Sequence, residues 1–181
     1  MPRLIFIGGV PATGKSTMAR YLERETGIKR VSMDDLKEAI FDLAGYHDRE
    51  WSRQVGMIAW PTFQKLVELH LSRGEDVIAE ATFLWPHDKD WLHQVAETYQ
   101  ASLYQIWMTA NPLVSRERFI DRAHHNRHPG HCDTREDVIG SFTSRFFNRT
   151  YIPHPIKGKT LVIDTTDFNA IDHELIHLFI N

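Results

Sequence analysis

The chain has 181 residues, 42% of them hydrophobic and 25% charged, which suits one domain with a core large enough to stand without disulfides. Its net charge of -3 argues against a surface built for duplex DNA, although it leaves room for a local basic groove. The single cysteine, Cys132, excludes an intrachain disulfide and fits a reducing compartment.

Residues 4–8 form a short apolar run that ends in glycines, as a buried first strand does. The apolar stretch at residues 1–8 is too short for a signal peptide, and no run approaches a membrane span, so a cytoplasmic protein is expected. Directly after the strand comes Gly9-x-x-x-x-Gly14-Lys15-Ser16, and a helix starts within it. This is the pattern of a phosphate-binding loop. Glycines let the backbone close on phosphate oxygens, and the helix N-terminus adds positive potential. Gly9, Pro11, Ala12, Thr13, Gly14, Lys15, Ser16 and Thr17 are therefore expected to hold a nucleoside triphosphate, with ATP as the simplest choice. Lys15 is expected on the outer phosphates and the Ser16 hydroxyl on Mg²⁺, with Thr17 as a weaker helper.

Helix one carries Met18, Ala19 and Leu22 on one side and stops near Gly27. A second strand is expected over 28–33, then a helix opened by Asp34 and Asp35 that runs to about residue 44. A long helix is expected over 50–72, with Val55, Ile58, Thr62, Leu66 and Leu69 along its apolar side and Pro61 kinking or splitting it. The third strand covers 76–80, 82–86 is a loop, and a helix follows over about 89–98. A fourth strand is expected at 103–108, helices at 112–123 and 133–147, and a loop at 126–132 between them. Asp133 and Glu136 have the spacing of a capping box for the later helix. Residues 151–155 read as extended, 159–164 as the fifth strand and 169–179 as a closing helix. Alternating strands and helices, with strands too apolar for a wet face, predict a parallel sheet covered on both sides.

In such a sheet, ligands sit beyond the carboxyl ends of the strands. Asp34 lies at the end of the second strand, where a carboxylate can orient an acceptor hydroxyl and take its proton, although helix capping by Asp34 and Asp35 is the alternative. Lys37, one turn on, is a candidate for a substrate oxyanion or a solvated side chain. Glu80 ends the third strand, where it can serve Mg²⁺ or the acceptor, and Thr82 is close by. Arg116, Arg118, Arg122 and Arg127 crowd one segment; Arg118, Arg122 and Arg127 are the candidates for stabilising a transferred phosphoryl group, against simple pairing with Glu117 and Asp121. Residues 112–132 are then a lid that closes over the site and excludes water. His124, His125, His128, His131 and Cys132 lack the spacing of a zinc site. Trp107 is expected in the core, and Trp85, beside the third-strand end, is a candidate for packing an aromatic or apolar acceptor.

The whole ordering resembles the P-loop kinases grouped with AAA_33-type and zeta-toxin-like proteins, which include the polynucleotide 5'-hydroxyl kinase domain and chloramphenicol phosphotransferase. The resemblance rests on residues 8–17, on Ser32-Met33-Asp34-Asp35-Leu36-Lys37, on Val77-Ile78-Ala79-Glu80-Ala81-Thr82, on the arginines from Arg116 to Arg127, and on Asp164-Thr165-Thr166. It implies the α/β P-loop NTPase fold, five parallel strands with helices on both faces and a small lid, similar to nucleoside monophosphate and shikimate kinases. It also implies Mg-ATP-dependent phosphorylation of a hydroxyl, with Asp34 as base and lid arginines over the phosphate. Lys37 stands where polynucleotide kinases carry arginine, and Glu80 where relatives carry aspartate. Both departures favour a small-molecule or nucleoside-like acceptor over a nucleic-acid end. A sugar-nucleotide acceptor and a regulatory NTPase switch are the remaining alternatives; the sequence does not fix the oligomeric state.

Overall fold

The computed structural model describes residues 1–147 and 149–181. Five strands form one sheet: β1 (Arg3–Gly9), β2 (Lys29–Ser32), β3 (Val77–Glu80), β4 (Ser102–Thr109) and β5 (Lys159–Asp164). Their order is β2-β3-β1-β4-β5, and every pairing is parallel, from Leu4 opposite Val77 to Thr109 opposite Asp164. The connection after β1 runs to one side of it, toward β2, and the connection after β3 crosses to the other side, toward β4, so the carboxyl ends of β1 and β3 lie at the topological switch where open α/β sheets bind ligands.

Alternation along β1 explains why both faces are covered. Leu4 and Phe6 join Phe63, Val67, Leu71, Leu92 and Val95 on one side. Ile5 and Ile7 join Met18, Ala19, Leu22, Ile176 and Ile180 on the other. The first side is covered by α3 (Arg49–Ser72) and α4 (Pro86–Tyr99), the second by α1 (Lys15–Thr26) and α7 (His173–Ile180). The remaining helices are α2 (Met33–Ala44), α5 (Pro112–His125) and α6 (Glu136–Phe142). Trp107 lies in the core, 2% exposed, as its place in a strand predicted.

Three expectations are corrected. Pro61 lies inside α3, and the helix continues past it from Arg49 to Ser72. Its buried residues are Ser52, Val55, Ala59, Phe63, Val67 and Leu71, while the expected Ile58 and Leu69 face solvent. Asp133 caps nothing: α6 starts at Glu136 after Arg135, continues as a π-helical turn at Thr143–Phe147, and leaves Asp133 buried in ion pairs. The caps of α2 also differ from the alternative reading, because Ser32, not an aspartate, occupies the N-cap, and its Oγ accepts from the Asp35 N–H at 3.4 Å.

Candidate active site

The phosphate loop takes its shape from its backbone. Gly9 has φ 128° and Gly14 φ 86°, values that side chains rarely allow. A Cβ on Gly9 would stand 2.0 Å from the Met108 carbonyl oxygen, so β4 itself demands glycine there. Thr13 is fully buried and its hydroxyl donates to the Val10 carbonyl at 2.8 Å. From the far edge, the Thr165 hydroxyl lies 2.9 Å from the Thr13 carbonyl and 3.0 Å from that of Thr109. The loop then delivers the chain into α1, whose N-terminus has no side-chain cap and no acidic residue in its first turn. Amides left without a side-chain partner fit an incoming polyphosphate.

Lys15 is 7% exposed, and its ammonium donates to the Val10 carbonyl at 2.9 Å. Burial lowers its pKa to about 8, against the opposing pull of Glu80 and Asp34. Ser16 Oγ donates to Glu80 Oε1 at 3.2 Å, and Ser32 Oγ donates to Glu80 Oε2 at 2.7 Å. Glu80 is 3% exposed; burial first, then the Asp34 carboxylate, raises its pKa. A desolvated carboxylate beside a hydroxyl, next to a phosphate loop, suits a hard divalent cation. Among the described residues no cluster of three or more His, Cys, Asp or Glu side chains has a metal-binding arrangement. Magnesium keeps few protein ligands and takes phosphate oxygens and waters for the rest, so the Ser16 hydroxyl and the Glu80 carboxylate could hold it.

Asp34, in the first turn of α2, points toward the segment that follows α5. Arg127 donates to Asp34 Oδ2 at 2.6 Å and, through Nε, to Asp133 Oδ2 at 3.0 Å. Its Nη2 lies 3.0 Å from His131 Nδ1, and His131 Nε2 lies 3.0 Å from Glu38 Oε1. These partners call for a neutral imidazole that accepts from Arg127 at Nδ1 and donates to Glu38 from Nε2. Burial lowers the His131 pKa, which favours that neutral form. Although burial pulls the other way, the Arg127 guanidinium holds the Asp34 carboxyl well below the usual range. Arg49 completes the ring by donating to the His131 carbonyl at 2.8 Å. Gly130 lets this segment close on α2: a Cβ there would meet the Phe41 ring at 2.5 Å.

Lys15, Asp34, Glu80, Thr82, Lys37, Arg118, Arg122 and Arg127 all line one cavity of about 1340 Å³. Pockets for a single drug-sized ligand measure roughly 300–1,000 Å³, so this cavity has room for more than one such ligand. Within it, the three candidate arginines part company. Arg122 Nε is buried without a hydrogen-bond partner, and no carboxylate of the described residues lies within ion-pair reach of the guanidinium. Arg127 is bound to acidic groups on two sides. Arg118 donates to the carbonyls of Thr165 and Thr166 at 2.8 and 3.0 Å and lies 3.9 Å over the Phe168 ring, at the β5 end of the cavity. Asp35 turns outward to Arg30, at 2.6 Å. Thr82 contributes its carbonyl to the Gly9 N–H at 2.9 Å. Trp85 is 52% exposed at the rim. Sequence reasoning missed Glu38, Arg49 and Arg53, which also line the cavity; the signal available was Arg49 and Arg53 four apart on a helix. His131 was noticed without being given a role.

A sequence profile described as an AAA domain, AAA_33, matches residues 4–148. The chain belongs to the AAA_33 family. A proposed kinase from Chloroflexus aurantiacus is 34% identical to this AAA_33 protein; the alignment covers 99% of this chain and 96% of that one, with a TM-score of 0.89. A sugar kinase from Janibacter sp. HTCC2649 shares the fold at 15% identity, over 98% of this chain and 92% of that one, with a TM-score of 0.61. Kti12 of Chaetomium thermophilum, solved with ADP-AlF3, shares it at 18% identity, over 97% and 94%, with a TM-score of 0.64. Mycobacterium tuberculosis Rv2004c is 24% identical over 150 residues, which are 79% of this AAA_33 chain and 29% of that protein; the chain thus spans under a third of the curated relatives it matches. Among the described residues no helix is long and apolar enough to cross a membrane.

Proposed function

We propose that this AAA_33 protein is an ATP-dependent phosphotransferase that moves the γ-phosphoryl group of Mg-ATP to a hydroxyl of a small-molecule or nucleoside-like acceptor. The reading rests on one observation. The phosphate-loop ammonium of Lys15, the partnerless guanidinium of Arg122 and the carboxylate of Asp34 open onto the same cavity. Kinase assignments among its structural neighbours support the same class of activity.

In this reading the loop amides and Lys15 hold the β- and γ-phosphates. Ser16 and Glu80 hold Mg²⁺, which neutralises charge on the phosphate oxygens. Asp34 accepts a hydrogen bond from the acceptor hydroxyl and orients a lone pair on phosphorus. The γ-phosphorus–oxygen bond to ADP breaks as the acceptor oxygen bonds to phosphorus, and the acceptor proton passes to Asp34. Because the transition state of such transfers is loose, that proton leaves late, and a weakly basic carboxylate suffices. Arg122 supplies charge where negative charge spreads, and Arg127 shares that task from its place on Asp34. Arg118, beside Phe168, serves the nucleobase end. Residues 112–132 act as the lid, with Phe119 packed on Phe142 and, through their cluster, on Ala12 of the loop.

The test is ADP formation with and without hydroxyl acceptors, together with mass detection of the phosphorylated product. Asp34→Asn is expected to lower acceptor-dependent turnover by about 10²–10⁴-fold, the usual worth of a positioned acid–base group, with MgADP affinity unchanged. Hydrolysis stimulated by a macromolecular partner, with no phosphorylated product, would establish the regulatory NTPase instead.

A further inference from the structure

The cavity wall formed by α2 and the start of α3 carries a lysine that, among the described residues, meets no carboxylate within ion-pair reach. Arg127 reaches Asp34, Asp133 and Glu38, and the neutral His131 imidazole donates to Glu38. Lys37 has no carboxylate within 4 Å among the described residues, and its one hydrogen bond reaches the buried Ser52 hydroxyl at 3.4 Å. Its ammonium also lies 5.5 Å from the Phe41 ring centroid. Burial lowers the Lys37 pKa, with Asp34 opposing from a distance. A largely desolvated ammonium is costly unless an anion joins it.

The facing surface of α3 is shaped for such a guest. Arg49, Ser52, Arg53 and Gly56 follow at i, i+3, i+4 and i+7, which puts them on one face of the helix. A glycine in a helix interior forfeits helix stability, and here it leaves room. A Cβ on Gly56 would stand 3.9 Å from Lys37 Nζ, in ordinary contact, so the glycine keeps open the space before the ammonium. Arg49 and Arg53 border that space, and Met57, Trp60 and Trp85 continue the cavity with apolar surface.

We infer that Lys37, flanked by Arg49 and Arg53 around the gap left by Gly56, binds an anionic group of the acceptor. The acceptor is then a hydroxyl compound that also carries a phosphate ester or a carboxylate, with an apolar or ring-shaped body against Trp60 and Trp85. This rests on the phosphotransferase reading and narrows its substrate class. It also gives the half-buried Lys37 a function that a freely solvated side chain would lack.

The experiment saturates the phosphate loop with MgADP and then titrates inorganic phosphate and, separately, malonate by calorimetry. Wild type, Lys37→Met and Gly56→Asp are compared. Gly56→Asp keeps the lysine and sets a carboxylate in the gap, so it tests the subsite without emptying the wall. Wild type is expected to bind at least one anion in the millimolar range, and the preferred one tells a phosphate ester from a carboxylate. Both variants should bind it at least about tenfold more weakly, with MgADP affinity unchanged. If wild type binds neither anion at tens of millimolar, or if both variants bind as wild type does, the inference falls. The second result would place the anion at the vacated γ-phosphate position instead. Failure of MgADP itself to bind would overturn the phosphotransferase reading and this inference together.

Discussion

The phosphate-loop end and the α2 end of the cavity, the proposed nucleotide and acceptor ends, are built from different materials. At the nucleotide end, the binding groups are backbone amides and one lysine, and the shape comes from positive-φ glycines and the carbonyl of Met108 close behind Gly9. At the acceptor end, the shape comes from side chains that hold one another. Arg127 alone ties α2, through Asp34 and Glu38, to Asp133. The first kind of site is stable without its charged group. The second is held together by its charged groups.

That difference is open to measurement. Arg127→Ala leaves Asp34 and the 9%-exposed Asp133 side chain without their main partner, and breaking a buried pair in this way costs about 3–5 kcal/mol. Urea denaturation should show a midpoint lowered accordingly. Lys15→Met removes an ammonium that burial disfavours, so its midpoint should stay level or rise while MgADP binding is lost. Equal losses of stability in the two variants would break the distinction.

A smaller effect separates Arg122 from Arg118. Arg122→Ala should lower turnover about 10²-fold, the worth of one transition-state donor, and leave MgADP affinity nearly unchanged. Arg118→Ala should do the reverse, weakening MgADP less than about tenfold, as the loss of one stacked cation does, with turnover at saturation intact. Steady-state kinetics beside direct ADP binding decides it. If both variants lose turnover alike, Arg118 reaches the phosphoryl group when substrates bind.

The same contrast explains what the sequence revealed. A site made by consecutive backbone groups is written as a consecutive motif, and residues 9–17 declare it. So do the strands, because each buried strand is a short apolar run of its own. The acceptor wall draws on residues from Asp34 to Asp133, and no local pattern joins Lys37, Gly56 and Arg127. Asp133 looked like a cap because Glu136 stands three residues on; tertiary pairing with Arg127 and Arg49 won. The face of α3 was misread for a geometric reason. Val55, Ala59, Phe63, Val67 and Leu71 recur every fourth residue, and on a helix of 3.6 residues per turn that stripe winds through roughly 160°. The helix touches α2, β2, β3 and α4 in turn around its surface, so a straight stripe could not describe it.

The finest test of the nucleotide end is its response to pH. In the free protein Lys15 titrates near 8 instead of 10.5. Between those values the unfolded chain binds the proton that the folded chain has released, so this residue makes the free protein more stable as pH rises through that window. Phosphate oxygens reverse the balance, because they favour the charged ammonium. Binding of MgADP above pH 8 must then take up a proton, and affinity should weaken by up to about tenfold per pH unit there. Calorimetry at pH 9 in two buffers of different protonation enthalpy measures the uptake directly. A value approaching one proton per nucleotide is expected, since ADP itself is fully ionised at that pH. Zero uptake would mean that Lys15 is already charged in the free loop, and that the Val10 carbonyl compensates its burial better than the geometry indicates.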